Sequence, residues 1–210
     1  MFPDLTRDDV FRLETRRLWL RWPRAADVPA LLRLAGEKAV AEMTARIPHP
    51  LAEEDATAFV LESRRANMEG QALVMAITPR AQPRSLIGTV WIRAGEEAGR
   101  PRLGYWLGRP HWGEGFATEA AQAMVDAFFA YTEGGELTAA ARIPNPASRR
   151  VLEKCGFSPA GTGLMPFPAR GAVLPVERFR LDRRGWRSFE DRSTMAFVPR
   201  LEPGQAALHP

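Results

Sequence analysis

The sequence predicts a single α/β domain: a mixed, largely antiparallel sheet of about seven strands flanked by about four helices. Three observations point there. Short apolar runs with strand character alternate with longer stretches whose apolar residues recur at helical spacing. Gly and Pro clusters mark the boundaries between them. The chain has 210 residues, 45% hydrophobic and 26% charged, which suits one globular core and excludes disorder throughout.

Taken in order, residues 18–22 (LWLRW) form a strand, and Asp27 followed by Pro29 opens a helix with Val28, Leu31, Leu32 and Ala35 on one face. After the loop TARIPHP, Glu53, Glu54 and Asp55 bring the negative charge that a helix N-terminus favours. Ala56, Phe59, Val60 and Ser63 carry this helix to about Met68. QALVMAI from Gln71 and SLIGTVWIR from Ser85, separated by Pro79 and Pro83, make an antiparallel hairpin. RLGYWL from Arg102 is a strand, WGEGFA a glycine loop, and Ala121, Met124, Val125, Phe128 and Tyr131 one face of a long helix that Gly134 and Gly135 end. LTAAARI is a short strand. Asn145 and Pro146 have the form of an N-cap and first-turn proline, opening a helix that turns Val151, Leu152 and Cys155 inward and stops at Gly156. Residues 157–161 and 173–181 pair as the last strands, and 183–210, with a Pro-rich end, form a loosely ordered C-terminal extension.

Composition removes several function classes. Cys155 is the only cysteine, so no intramolecular disulfide forms, and with His49, His111 and His209 it supplies no metal-ligand spacing; no metal is expected. Asp4, Asp8 and Asp9 replace the basic and apolar regions of a signal peptide, and no run reaches the ~18 apolar residues of a membrane span, so a cytoplasmic protein without a membrane partner is expected. The net charge is +4 and the pI about 9.9, yet the basic residues are nearly all Arg, with only Lys38 and Lys154, and they are interleaved with acids. A mixed solvated surface outweighs a nucleic-acid footprint.

Two constellations carry chemistry. In YWLGRPHWGEGFATE (105–119) a strand ends in a loop that opens directly into a helix. Such a loop aims backbone N–H groups at an anion, Gly113 and Gly115 leave room for close approach, and the helix N-terminus favours negative charge, so a phosphate is the natural ligand. The alternative is a turn that needs glycine only for its backbone angles. Neither a P-loop nor a GxGxxG fingerprint is present. In IPNPASRRVLEKCGF, Asn145 can cap the helix by accepting from the N–H of Ser148.

Together these segments resemble the GNAT superfamily of acyl-CoA-dependent N-acetyltransferases, in particular the branch of ribosomal-protein N-terminal (alanine/serine) acetyltransferases. LETRRLWLR, IPHPLAEEDATAFV, LIGTVWI, LGYWLGRPHWGEGFATEA and IPNPASRRVLEKCGF stand in the family's order across about residues 12–182, the span of the expected domain. The resemblance implies a centrally splayed sheet with acetyl-CoA as cosubstrate. Trp112, Gly113, Glu114, Gly115, Phe116, Ala117 and Thr118 would bind its pyrophosphate. The strand Tyr105, Trp106, Leu107 would bond the pantetheine as an added strand would, with Asn145 reaching the same arm. Leu107 N–H would polarise the thioester oxygen, and Ser148, near the cofactor, would protonate the leaving thiolate after direct attack by the amine in a ternary complex.

Two positions depart from the family's pattern. Arg102 stands where many relatives carry a glutamate proposed as general base, and Leu152 stands where a tyrosine acid is common. Glu177, His49 and His111 are the remaining base candidates, each also readable as a surface residue. An α-amine, with a pKa near ~8 against ~10.4 for lysine, needs a base least. The preferred acceptor is therefore a protein or peptide N-terminal α-amine, with a small-molecule amine as the alternative and a non-catalytic acyl-CoA-binding module as the rival of another class. Acceptor choice is expected in the loop 43–51 and in an overhanging segment 162–172. Cys155 reads as core rather than as a covalent acyl carrier. The sequence pattern does not set the oligomeric state; a homodimer is compatible with it.

Overall fold

A computed structural model describes residues 1–95 and 100–190. Eight strands form one sheet: β1 Arg12–Glu14, β2 Leu18–Arg21, β3 Ala72–Pro79, β4 Gly88–Ala94, β5 Pro101–Leu107, β6 Glu136–Arg142, β7 Ser158–Phe167 and β8 Ala172–Asp182. Their spatial order is β1-β2-β3-β4-β5-β6-β8-β7. All neighbours are antiparallel except β5 and β6, which run parallel and pair at Arg102↔Thr138 and Leu103↔Ala139 alone. Beyond that base their C-terminal halves part, leaving an opening in the sheet.

The helices are α1 Val28–Ala35, α2 Lys38–Ala41, α3 Glu53–Met68, α4 Phe116–Tyr131, α5 Pro146–Lys154 and α6 Arg183–Glu190. Strand alternation divides the core between the two sheet faces. Leu103, Tyr105 and Leu107 of β5 join α4 and α5 in one cluster, with Met124, Phe128, Leu137 and Leu152. Trp106 faces the other way, among Val28, Leu31 and Val60 of α1 and α3. Each such side chain removed from water contributes ~1.5–3 kcal/mol, which fixes β5 between two packed layers. No helix among the described residues is long and apolar enough to cross a membrane.

Several local expectations are corrected. The sheet has an eighth strand, β1, too short to carry a period of its own. Asp27 stands at the N-cap position of α1, as the helix start read from the sequence requires, and its buried side chain makes a bidentate pair with Arg21, at 2.7 and 2.8 Å, while accepting from Arg24 N–H. The strand expected to end at Gly161 runs on to Phe167, so most of the segment 162–172 is the outer half of β7, paired with β8 from Thr162↔Glu177 to Phe167↔Ala172. Pro159, Pro166, Gly161 and Gly163 hide the strand signal, and the edge position of β7 is what tolerates the prolines. The start of the expected loose extension is also ordered: α6 docks Trp186 on Phe129, ring centroids 5.2 Å apart, with its indole N–H donating to Asp126 at 2.8 Å. The rest of that extension, 191–210, lies outside the described residues.

Candidate active site

Between β5 and α4 the chain makes one short turn, Arg109–His111, and then the glycine loop. Gly113 has φ 81° and Gly115 φ 78°, angles that side-chain-bearing residues rarely adopt. A Cβ on Gly113 would meet nothing within 4 Å; one on Gly115 would lie 3.4 Å from the Arg17 guanidinium. The ladder of α4 begins with Glu119 N–H donating to the Gly115 carbonyl at 3.1 Å. The amides of Phe116, Ala117 and Thr118 therefore have no acceptor within the helix. An open surface, free helical N–H groups and a positive dipole end suit a diphosphate, so the residues fit the pyrophosphate of acetyl-CoA.

A brace from the β1–β2 turn holds this loop, and the spacing of the sequence did not reveal it. Arg17 donates from its backbone N–H and Nε to the Glu119 carboxylate at 2.8 and 2.6 Å, and Thr15 Oγ1 donates to it at 2.6 Å. Arg17 Nη1 reaches the Glu114 carbonyl at 2.9 Å, and the guanidinium lies 4.6 Å above the Phe116 ring. Burial alone would push the Glu119 carboxyl up; the bonds from Thr15 and Arg17 outweigh it and hold the group below its ordinary value. On the strand side, the exposed Trp112 donates its indole N–H to the Leu107 carbonyl at 2.7 Å.

The opening between β5 and β6 has donors on one wall. Gly108 N–H donates to Ile87 O at 2.9 Å, which sets the phase of the β4–β5 ladder. By antiparallel alternation, the N–H groups of Tyr105 and Leu107 point away from β4, toward the opening. On the other side Asn145 caps α5, its Oδ1 accepting from Ser148 N–H at 3.1 Å and leaving its amide NH2 available. The Tyr105 hydroxyl lies 3.0 Å from both the carbonyl and the Oγ of Ser148, joining β5 to α5. Burial pushes the Tyr105 phenol up, only partly opposed by the Ser148 bond, so it stays protonated near neutral pH. When Tyr105 donates to Ser148 Oγ, the serine's own proton is free to point elsewhere.

The other candidates are placed as follows. Trp106 contributes its backbone to β5 while its indole is core. Leu152 is buried, and Cys155 is fully enclosed with its thiol pointing to the Thr118 carbonyl at 3.7 Å and its pKa raised by burial. Glu177 is engaged by Arg149 at 3.2 Å. His49 Nδ1 lies 2.8 Å from the Gly36 carbonyl, and burial together with Arg33 lowers the pKa of His111. Arg102 Nη1 lies 3.0 Å from Met165 Sδ, so no carboxylate occupies that strand position. The two expected acceptor segments do meet. Ala169 N–H donates to Ala45 O at 3.1 Å, Arg170 donates to the carbonyls of Ala41 and Ile47, and Arg142 Nη1 donates to Glu42 O at 2.7 Å. They form a bridge over the end of β6.

Comparison with known proteins accords with this arrangement. A family model described as an acetyltransferase (GNAT) domain matches residues 17–158. Among curated proteins, an uncharacterized N-acetyltransferase, p20, of Bacillus licheniformis is 33% identical over 119 residues, which is 56% of this chain and 66% of that protein's length. Among solved structures, RimL, a ribosomal L7/L12 alpha-N-protein acetyltransferase in complex with coenzyme A, matches with a TM-score of 0.69 at 20% identity, over 81% of this chain and 97% of that one. The microcin C7 self-immunity acetyltransferase MccE, in complex with acetyl-CoA and AMP, matches with a TM-score of 0.68 at 18% identity, over 80% and 93%. At these identities the structural matches speak for the fold alone. With the family model spanning the glycine loop, both sides of the β5–β6 opening and the capped helix beyond it, the chain belongs to the GNAT acetyltransferase family.

Proposed function

We propose that the chain transfers the acetyl group of acetyl-CoA to the N-terminal α-amine of a protein or peptide. The observation that carries this reading is the open glycine loop at the start of α4, set beside an opening in the sheet whose β5 wall presents free N–H groups. Bound acetyl-CoA supplies the thioester: the amine nitrogen bonds to its acyl carbon, the C–S bond breaks, and the proton lost by the amine is matched by one gained by the CoA thiolate.

The chain's own residues bind, orient and move a proton. Amides of the loop residues 113–118 hold the diphosphate, with Trp112 and Glu114 flanking it and Thr118 adding a hydroxyl. The N–H groups of Tyr105 and Leu107 and the amide of Asn145 hold the pantetheine arm. Leu107 N–H donates to the developing oxyanion, and such a donor contributes on the order of a hundredfold in rate. Ser148 is the acid for the thiolate, and Tyr105 positions it. A lysine acceptor would need a base, and Arg102 replaces the expected carboxylate; an α-amine near ~8 is appreciably neutral at pH 7 without one. The acceptor named for RimL, an α-amine of a ribosomal protein, supports the same choice.

The test is acetylation of a peptide library against a panel of small amines, read by mass spectrometry, after calorimetric titration with acetyl-CoA and desulfo-CoA. Peptide N-termini are expected to react. Reaction of small amines only would refute the acceptor assignment, and acetyl-CoA binding without turnover on any amine would identify a non-catalytic acyl-CoA-binding module.

A further inference from the structure

The face of the sheet turned away from α4 and α5 carries a groove of about 450 Å³ between Gly95 and the start of β5 on one side and the β7–β8 ribbon on the other. Its floor is small and neutral: Leu137, Ala139 and Ala141 of β6 point into the core on the α4 side, so Thr138 and Ala140 face the groove. Arg100, Arg102, Arg178 and Arg180 line it with Glu136, the one carboxylate among the described lining residues, which Arg100 meets at 3.5 Å. Arg93, opposite Arg102 in the β4–β5 register, adds a fifth guanidinium on the same face, and its buried Nε finds no acceptor among the described residues.

The local field is positive. Burial, Arg46 and Arg102 together pull the pKa of Arg93 from 12.5 down to about 10, with Glu62 the opposing acid. In the sequence, Glu96 and Glu97 stand between β4 and β5, outside the described residues. Even with both counted beside Glu62 and Glu136, the six arginines leave an excess of positive charge. A groove of that sign disfavours a polyamine or a basic peptide and favours carboxylates.

We infer that the acceptor is an acidic peptide whose Asp or Glu side chains occupy this arginine-walled groove while its α-amine sits at the β5–β6 opening. The inference rests on the acetyl-transfer reading above and narrows its substrate. Strand geometry sets the spacing. Arg102 precedes Leu107 by five residues of β5, and Arg178, beside Ala140, lies about three residues below Leu107, or roughly 16 and 10 Å at ~3.3 Å per residue. An extended peptide advances by the same ~3.3 Å, so the matching carboxylates belong at about the fourth to sixth positions from the amine.

The experiment uses the full chain with acetyl-CoA and octapeptides that share one N-terminal residue and carry Glu, Gln or Lys at positions four to six, with a further peptide carrying Glu only at position two. The Glu peptide is expected to have a KM about tenfold below that of the Gln peptide, through charge complementarity that weakens between about 50 and 300 mM salt. Glu at position two is expected to give little of this gain. Arg178→Gln and Arg180→Gln, each checked for an unchanged melting profile, are expected to reduce the Glu-over-Gln ratio. Equal kcat/KM for Glu and Gln peptides, preference for Lys, or a ratio unmoved by both variants overturns the inference and leaves N-terminal acetylation standing. Acetylation of small amines with no peptide reacting overturns the acceptor reading and this inference with it.

Discussion

Gly113→Ala separates what the glycine loop does for the fold from what it does for a ligand. The added methyl has nothing within 4 Å to strike, so the folded protein bears only the cost of a left-handed residue, ~1–2 kcal/mol. Gly171→Ala is the matched control: φ is 58°, nothing lies within 4 Å of its Cβ, and it stands at the β7–β8 turn. Both variants should lose a similar amount of stability in urea titrations. Their affinities should differ. A methyl at Gly113 projects from the loop where a phosphate must approach its amides, and losing one hydrogen bond to a charged oxygen costs ~1.5–3 kcal/mol, about ten- to a hundredfold in Kd. Calorimetric titration with acetyl-CoA is therefore expected to show that loss for Gly113→Ala and no change for Gly171→Ala. An acetyl-CoA Kd for Gly113→Ala within twofold of the wild type would refute the reasoning and leave the loop as a turn.

Three further outcomes follow from the side chains. Ser148→Ala should lower kcat by ~10–100-fold with acetyl-CoA affinity retained, and an unchanged kcat would remove the serine from the acid role. Tyr105→Phe should lower kcat with a smaller change in acetyl-CoA KM, and the loss should vanish in a Ser148→Ala background if Tyr105 acts only through that serine; additive losses would argue against positioning. Asp126 accepts from Gln122 and Trp186 at 3.0 and 2.8 Å, yet burial, the dominant influence, raises its pKa. Because the folded carboxyl holds its proton more tightly than the unfolded one, stability from this group falls as pH rises from about 4 through the folded pKa. Asp126→Asn keeps both bonds without the charge, so its melting temperature should exceed the wild type's at pH 7 and converge with it near pH 3; the same gain at both values would exclude burial of charge as the cause.

What was legible in the sequence followed from local physics. The apolar face of α4 repeats over sixteen residues, and Asn145-Pro146 announces α5 with its cap and its fixed φ, so both were readable without a partner in view. Gly113 and Gly115 marked the loop because a left-handed angle is a property of one residue. The brace on that loop was not readable, since Arg17 and Glu119 lie 102 positions apart and each alone is an ordinary charged residue. The Tyr105–Ser148 contact was hidden in the same way: the sequence nominated both residues and could not show that one holds the other. β7 reads short in the sequence because prolines and glycines lower strand propensity, while only the sheet order reveals an edge that accepts them. α6 leaves no periodic signal because two separate side chains fasten it, Trp186 on Phe129 and Asp126 and Arg183 on the carbonyls of Phe129, Thr132 and Gly134, and isolated anchors have no period.

The two-residue ladder between β5 and β6 leaves two strand edges facing one another inside a single sheet. An unpaired edge on the rim of a protein invites a neighbour's strand and with it aggregation. Here the edges are recessed: α4 and α5 pack on one side, and the bridge between residues 41–47 and 167–170 spans the end of β6 on the other. A neighbour's strand would have to displace α4, α5 or the bridge to pair along either edge, whereas a thin chain bearing amides, or the end of a peptide, can enter between them. Ligand recognition and protection against self-association thus rest on the same narrowness, and substitutions that widen the opening should make the protein aggregate before they make it unfold.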